Sequence, residues 1–334
     1  MESYDKPGRI RNILENEILP GVSPKVSSII SRLNDNYIAN LEEIRMRLGK
    51  PLMINCCKAD YMVTSFGTIA NSIDAAYNVS RDDCEMTMQL LSNYSIYAIE
   101  DELKNGYITL KGGHRVGIVG KGILESGKLK ALKNISGFNI RLSRQIIGAA
   151  DNLIKFLLKR GSIYNTLIIS PPQCGKTTLL RDIVRQLSCG VPSFNFKGLK
   201  VGLVDERSEV AGSFMGMPQN DVGFRTDVLD ACPKSLGITM LIRSMSPQVV
   251  ATDEIGSKYD AEAIYEALNC GVRIITTIHG DGLEDILSRP YIGDLVRNRV
   301  FERLIILSSS NGPGTVEEII DGTNLNVLVK KPFR

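Results

Sequence analysis

The run 167–178 constrains this chain more than any other stretch of its sequence. It begins with Leu-Ile-Ile-Ser, which suits a buried strand, continues with Pro-Pro-Gln-Cys-Gly-Lys-Thr-Thr, and is followed by an apolar pattern typical of a helix. In that order, the backbone N–H groups of the loop and the positive end of the helix dipole surround one anion. The run therefore predicts a phosphate-binding loop. The alternative is an ordinary strand–turn–helix connection with an incidental Gly-Lys-Thr.

Within this loop, we expect Lys176 to contact the β- and γ-phosphates of ATP and the hydroxyl of Thr177 to bind Mg²⁺. The predicted nucleotide-binding residues are Ser170, Pro171, Pro172, Gln173, Cys174, Gly175, Lys176, Thr177 and Thr178. Ser170 departs from the usual pattern G-x-x-x-x-G-K-[ST], which begins with glycine. If that glycine supplies an unusual φ, Ser170 is expected to weaken nucleotide binding. Pro171 and Pro172 fix two φ angles and offer a compensation.

The composition is that of a globular protein. Of 334 residues, 43% are hydrophobic and 23% are charged, and the longest apolar runs are far short of a bilayer span. The net charge of +3 is spread along the chain and only 6% of residues are aromatic, which argues against a nucleic-acid partner. Residues 1–6 lack the apolar region of a signal peptide. We therefore expect a cytoplasmic protein without direct membrane insertion.

The sequence predicts two domains. Residues 1–150 mix short helices with strands that are rich in glycine and arginine, and predict a smaller α+β domain. Residues 151–334 alternate strands with helices, which predicts a parallel sheet with helices on both faces. The predicted strands of this second domain are 166–170, 201–205, 248–253, 273–278 and 304–307. Its predicted helices are 177–187, 233–245, 260–269 and 283–287, and the segment 148–152 is a candidate hinge.

A second chemical motif follows well downstream of the phosphate loop. The run 247–254 reads as a buried strand that delivers Asp253 and Glu254 at its carboxyl end, where ligands bind in open α/β sheets. We expect Asp253 to hold Mg²⁺ through water and Glu254 to polarise the attacking water as general base. An additional strand separates this motif from the phosphate loop. That insertion is typical of RecA-like ATPases, so the predicted fold is α/β with a RecA-like P-loop ATPase domain.

Two further strand ends are expected at the same edge of the sheet. Glu206 follows one strand and either belongs to the site or forms a structural pair with Arg207. His279 closes another strand, where it could hydrogen-bond the γ-phosphate or its water. The alternative for His279 is a structural hydrogen bond. Glu206 and His279 are therefore candidate catalytic residues, together with Lys176 and Glu254.

Several runs resemble a known family. The run 243–256 looks like the Walker B region of the type II/type IV secretion motor ATPases, 205–207 resembles their Asp box, and 277–279 resembles their His box. More narrowly, a set of longer runs resembles the family of stage III sporulation AA proteins. These runs are 42–49, 112–117, 171–182, 204–209 and 223–234. The resemblance spans both domains; Ser170 is its clearest departure, and the zinc-binding cysteine motif of some secretion ATPases is missing.

This resemblance implies an ATP-hydrolysing homo-hexamer that drives a channel between mother cell and forespore during endospore formation. It also implies docking on membrane proteins of the same channel, at the mother-cell side of the inner membrane. Related motors supply arginines from an N-terminal domain to nucleotide between subunits, and Arg141 and Arg144, with Arg115, are the candidates here. For Arg141 and Arg144, the alternative is a solvated strand face. Two other interpretations stay open: a nucleotide-gated assembly scaffold with little hydrolysis, and a RecA-like nucleic-acid translocase.

Overall fold

The computed structural model describes residues 7–57, 59–95, 99–104, 106–125 and 127–334. The chain forms two compact units that divide between Arg144 and Gln145. The N-terminal unit combines helices with an antiparallel sheet, and the C-terminal unit is built on a mainly parallel sheet. In the described residues, no helix is both long enough and apolar enough to cross a bilayer.

The helices of the N-terminal unit are short, and some of them begin at side-chain caps. They are α1 (Pro7–Ile13, continued by the wider turn Leu14–Ile18), α2 (Pro24–Ser31), α3 (Asp35–Ile38), α4 (Arg81–Leu91) and α5 (Glu100–Lys104). The Ser23 hydroxyl accepts from the backbone N–H of Val26 at the start of α2. At the start of α4, Ser80 and Asp83 cap each other's backbone N–H groups. Such caps satisfy N–H groups that have no partner inside the helix.

The sheet of the N-terminal unit buries one face. Its strands are β1 (Leu41–Arg47), β2 (Met53–Cys56), β3 (Ala59–Met62), β4 (Tyr107–Thr109), β5 (Arg115–Glu125) and β6 (Lys128–Arg141), in the order β3-β2-β1-β6-β5-β4. In β1, Ile44 and Met46 are fully buried in the core of the unit, whereas Arg45 and Arg47 alternate with them. Because side chains alternate between faces along a strand, the arginines share the opposite face.

The C-terminal unit carries the predicted parallel sheet. After the short hairpin β7 (Leu158–Lys159) and β8 (Ser162–Ile163), its strands are β9 (Thr166–Ser170), β10 (Val201–Asp205), β11 (Thr226–Asp230), β12 (Val249–Glu254), β13 (Arg273–His279), β14 (Arg303–Ser308), β15 (Thr315–Asp321) and β16 (Val327–Val329). The order is β11-β10-β12-β13-β9-β14-β15-β16, parallel from β11 to β14 and antiparallel beyond it.

Helices cover both faces of this sheet. They are α6 (Lys176–Cys189), α7 (Lys234–Met245), α8 (Lys258–Asn269), α9 (Leu283–Ser288) and α10 (Ile292–Arg297). Adjacent residues of β9 enter different cores: Ile168 packs in the cluster that contains the apolar side of α6, and Leu167 and Ile169 pack in the cluster with α7 to α10. A strand buried on both faces has no reason to alternate, which explains its continuous apolar sequence.

Strand β11 and helix α10 are among the elements of this unit that were not predicted from the sequence. Strand β11 lies at the sheet edge, and its residues Thr-Asp-Val-Leu-Asp are all half-buried, so acidic residues interrupt the apolar pattern. Helix α10 has only six residues, and the side chain of its N-cap residue, Tyr291, makes no capping hydrogen bond within the described part of the chain. Both elements are defined by their neighbours rather than by local periodicity.

Candidate nucleotide site

The carboxyl ends of four parallel strands bring the predicted residues to one edge of the sheet. Ser170 ends β9 and pairs in register with His279, which ends β13. Strand β12 ends at Glu254 and pairs with β13, while β10 ends at Asp205 beside β12. In an open parallel sheet this edge is where ligands bind.

Ser170 takes an ordinary strand conformation at the start of the loop. It is fully buried, its hydroxyl donates to the carbonyl of Pro171 at 2.8 Å, and its own carbonyl accepts from the N–H of Gly280 at 3.1 Å. The positive φ values of the loop belong instead to Gln173 and Gly175, at 60° and 81°. A serine therefore fits at the first position of the motif without backbone strain.

A distant segment supports the second half of the loop. The N–H of Gly314, in the connection between β14 and β15, donates to the carbonyl of Cys174 at 2.8 Å. A Cβ atom at Gly175 would lie 2.7 Å from the nitrogen of Gly314. Glycine is required at 175 both for its left-handed φ and for this close approach. The sequence does not indicate this support, because it arises between segments far apart in the chain.

Three of the predicted catalytic side chains converge beyond the loop. Oε2 of Glu254 lies 3.8 Å from Nζ of Lys176 and 3.2 Å from Nε2 of His279. The other ring nitrogen of His279 lies 3.3 Å from the carbonyl oxygen of Ser170. Glu254 and His279 keep more than a third of their side-chain surface exposed. The general base predicted from the sequence is therefore accessible to a water molecule.

The ammonium group of Lys176 is buried, and within the described residues it makes no hydrogen bond. Burial lowers the pKa of Lys176, and the charges of Glu254 and Asp253 offset this effect only in part. A buried cation without hydrogen bonds costs free energy unless another group supplies acceptors. Phosphate oxygens are suitable acceptors, so this orphaned donor fits the predicted nucleotide.

Asp253 and Glu206 lie on either side of a lysine that was not a predicted site residue. Nζ of Lys234 contacts Oε2 of Glu206 and lies 3.3 Å from Oδ1 of Asp253. Burial raises the pKa of Asp253 to about 6, and the charge of Lys234 opposes that rise. For Lys234 itself, burial lowers the pKa, but the contact with Glu206 and the charge of Asp253 outweigh it and leave the pKa raised.

Asp205 has a structural role beside Glu206. Its fully buried carboxylate accepts from the backbone N–H groups of Glu209, Val210 and Ala211, at 2.8 to 3.0 Å. Burial raises the pKa of Asp205 despite these hydrogen bonds. The guanidinium group of Arg181 closes the same turn, donating to the carbonyls of Glu209 and Val210. This turn fixes the chain immediately after Glu206.

The predicted arginines of the N-terminal unit have different surroundings. Arg141 lies on β6 with 60% of its side chain exposed, and its Nε is 3.5 Å from Oε1 of Glu43. The guanidinium of Arg115 stacks 3.5 Å from the ring centre of Tyr107. Arg144 instead donates to two backbone carbonyls of its own unit, at positions 39 and 41, at 3.2 and 3.0 Å. These contacts argue against Arg144 as a residue that reaches another subunit's nucleotide.

The residues suit Mg²⁺ that arrives with nucleotide. Across the described parts of the chain, no group of three or more His, Cys, Asp or Glu residues forms a metal cage. Mg²⁺ commonly takes one or two protein ligands together with substrate phosphates and water. Asp253, at the end of β12, and Thr177, in the first turn of α6, are the residues that would hold it.

Lys234 lies among the candidate site residues but was not predicted from the sequence. It is the first residue of α7, directly after Pro233, and it is 8% exposed. A cation at a helix N-terminus is disfavoured by the helix dipole. A lysine at such a position signals carboxylate partners, and that signal was present in the sequence Cys-Pro-Lys before the helical pattern.

Comparisons with known proteins identify relatives of this chain. A family model described as "Sporulation stage III, protein AA" matches residues 12–327. Stage III sporulation protein AA of Bacillus subtilis (strain 168) is 43% identical over 307 residues, covering 92% of this chain and 95% of that protein.

Two solved structures share the fold. The Legionella pneumophila ATPase DotB has a TM-score of 0.51 and 14% identity, over 86% of this chain and 75% of that one. The Yersinia pseudotuberculosis ATPase DotB has a TM-score of 0.52 and 13% identity, over 86% and 73%. At such low identity these likenesses show the fold alone. They confirm the prediction of an α/β, RecA-like fold with a parallel sheet.

Proposed function

Because this chain belongs to the sporulation stage III protein AA family, we propose that it binds and hydrolyses ATP as the motor of a secretion-type channel between mother cell and forespore. The observation that carries this proposal is the convergence of Lys176, Glu254 and His279 at the carboxyl edge of a parallel sheet. Glu254 lies within reach of both the buried cation and the histidine. That arrangement suits phosphoryl transfer to water.

Each side chain has a defined task in this proposal. Lys176 binds the β- and γ-phosphates, and the loop N–H groups hold the rest of the phosphate chain. Glu254 takes a proton from water, while His279 fixes the orientation of the Glu254 carboxylate through the 3.2 Å contact. Thr177 and Asp253 would hold Mg²⁺, and the ion would neutralise charge on the phosphates. Glu206 contacts Lys234, which also lies 3.3 Å from Asp253, so Glu206 belongs to the same cluster of charged side chains.

The assembly is part of the proposal. We expect a homo-hexamer whose nucleotide lies between subunits, docked through a protein partner on membrane proteins of the sporulation channel at the mother-cell side of the inner membrane. Arg141 and Arg115 are the candidates for the arginine that acts in trans. An arginine of this kind raises turnover by about 10³–10⁵-fold in other ATPases and GTPases.

Glu254→Gln tests the proposed hydrolysis. The amide keeps the shape of the side chain but cannot accept the proton of water, so we expect turnover to fall by about 10²–10⁴-fold while ATP binding is retained. Steady-state phosphate release and equilibrium binding of ATP, both with Mg²⁺, measure the two quantities. Glu262→Gln is the control, because Glu262 is an exposed residue of α8 paired with Lys258.

The same assay decides between the open interpretations. Normal turnover of Glu254→Gln in assembled protein would overturn the mechanism. ATP binding without hydrolysis by the unaltered chain, measured in single turnover with its membrane partner present, would establish the scaffold. Stimulation of hydrolysis by DNA or RNA that weakens with salt would establish the translocase.

A further inference from the structure

Lys234 sits between two carboxylates at the metal-binding edge of the site. Its ammonium contacts Oε2 of Glu206 and lies 3.3 Å from Oδ1 of Asp253, and its side chain is 9% exposed. Glu206 follows β10, Asp253 lies on β12, and Lys234 begins α7. Three separate elements therefore bring one cation and two anions together.

The position is costly for a lysine on its own. The ammonium is removed from water and lies at the positive end of a helix dipole, and both effects disfavour its charge. The two carboxylates offset that cost. The contact with Asp253 is nevertheless incomplete, because Oδ1 of Asp253 is buried and forms no hydrogen bond with any residue that the structure describes. Lys234 thus balances the charge of Asp253 without donating a hydrogen bond to its Oδ1 atom.

We propose that Lys234 is a tethered cation that competes with a divalent metal ion for Glu206 and Asp253. This inference rests on the proposed nucleotide site, which names Asp253 as a metal-binding residue. A metal ion alone has to displace the ammonium in exchange for few protein ligands. A metal ion that arrives with nucleotide gains phosphate oxygens as further ligands. Lys234 therefore makes metal binding depend on nucleotide.

The competition predicts that removal of the ammonium strengthens metal binding in the absence of nucleotide. We expect Lys234→Met to bind Mn²⁺ at least about tenfold more tightly than the unaltered chain, because two facing carboxylates then have no cation between them. Mn²⁺ binding is measured by electron paramagnetic resonance on the full chain without nucleotide. Lys258→Met is the matched control: Lys258 also begins a helix, α8, but it is exposed and paired with Glu262.

A second variant and a double variant guard against a structural explanation. Lys234→Gln removes the charge but can still donate hydrogen bonds. We expect the same gain in Mn²⁺ affinity from it, and it serves as the test if Lys234→Met fails to fold. Adding Glu206→Gln to either variant should cancel most of the gain, because one of the two carboxylates is lost. Thermal melting of each variant establishes that it is folded before its metal affinity is compared.

Unchanged Mn²⁺ affinity in both Lys234 variants would overturn the inference. So would a gain that survives Glu206→Gln. Equal loss of ATP affinity with and without Mg²⁺ would assign Lys234 to the nucleotide itself, and would also overturn it. Since the Mn²⁺ measurement contains no nucleotide, its result is independent of whether the chain hydrolyses ATP, which Glu254→Gln tests separately.

Discussion

The two sheets of this chain use their residues in opposite ways. In the N-terminal unit, β1 alternates, so that Met46 is fully buried and Arg47 beside it is exposed. In the C-terminal unit, β9 is buried at every position, and adjacent residues pack into different cores. The first sheet therefore presents charged side chains along its more exposed face. The central strands of the second sheet, β9, β10, β12 and β13, present them only near their ends.

This difference explains where chemistry appears in the sequence. On an alternating strand, arginines such as Arg45 and Arg141 are compatible with any position on the exposed face, and their presence identifies no particular site. On a strand buried on both sides, an ionisable side chain is disfavoured before the strand ends. Glu254 and His279 stand at such ends, which is why their types and positions together predicted a site.

The largest effect is expected when adjacent residues in each sheet are replaced and the free energy of unfolding is compared. We expect Leu167→Ala and Ile168→Ala each to lower the free energy of unfolding by about 2–5 kcal/mol, since both leave cavities in a core. In β1, Met46→Ala should cost a similar amount, whereas Arg47→Ala should change stability by less than about 0.5 kcal/mol. Urea unfolding followed by circular dichroism measures all four. A small effect of Leu167→Ala or Ile168→Ala would break the comparison.

The next test asks whether the nucleotide chemistry is confined to the strand ends of the C-terminal sheet. Lys176→Ala removes a buried ammonium and should weaken ATP binding by at least about 100-fold, which is about 2.7 kcal/mol. Binding of a fluorescent ATP analogue measures the loss. Lys133→Ala, at an exposed position of β6, is the control and should leave the affinity unchanged. Equal affinities for Lys176→Ala and the unaltered chain would reject the loop assignment.

A smaller effect separates two arginines near the end of the N-terminal unit. Arg144→Ala removes donors to two backbone carbonyls and should lower the free energy of unfolding by about 1–3 kcal/mol. Arg141→Ala, with 60% of its side chain exposed, should leave stability nearly unchanged and lower turnover only in assembled protein. Thermal melting and phosphate release are the two measurements. If Arg144→Ala lost turnover without losing stability, Arg144 would regain the role that its contacts argue against.

The smallest expected effect is a pH dependence within the N-terminal unit. Nδ1 of His114 accepts from the N–H of Ser143 at 2.9 Å, so Nε2 carries the proton and donates to Glu17 at 3.0 Å. Burial lowers the pKa of His114 below its ordinary value of 6.5. The unfolded chain then takes up the proton first as pH falls, so this histidine's contribution to stability is complete above about pH 6.5 and is lost below it.

The slope of that loss is at most about 1.4 kcal/mol per pH unit, the value for one proton. Urea unfolding between about pH 7.5 and pH 5 should show it, and His114→Gln should flatten the curve in the upper part of this range. Stability that rises as pH falls through this range would contradict the assignment. No such histidine lies among the buried residues of the C-terminal sheet strands.

Much of the site was predictable because each motif is local. The strand–loop–helix order around Lys176 and the acidic pair Asp253 and Glu254 each require only a few adjacent residues. Their convergence follows from the rule that parallel strands end at one edge. The likeness to DotB confirms the fold that those motifs predicted.

The remainder depends on contacts between distant segments. Gly314 supports the loop from the connection between β14 and β15, and no pattern near residue 314 indicates it. Arg144 looks like any charged residue at a strand end until its carbonyl partners are known. Lys234 could be predicted in part. A lysine at a helix N-terminus is disfavoured by the helix dipole, so its presence in the sequence indicates carboxylate partners. Only the structure identifies these partners as Glu206 and Asp253.

The hydrogen bond between Gly314 and Cys174 couples the loop to the last strands of the chain. Gly314 directly precedes β15, and Val316 of that strand exchanges backbone hydrogen bonds with Phe333. A displacement of the Cys174 carbonyl has either to move Gly314 or to break a 2.8 Å bond. Under the proposed function, a shift of this loop on nucleotide binding would therefore be passed to the last strands of the chain.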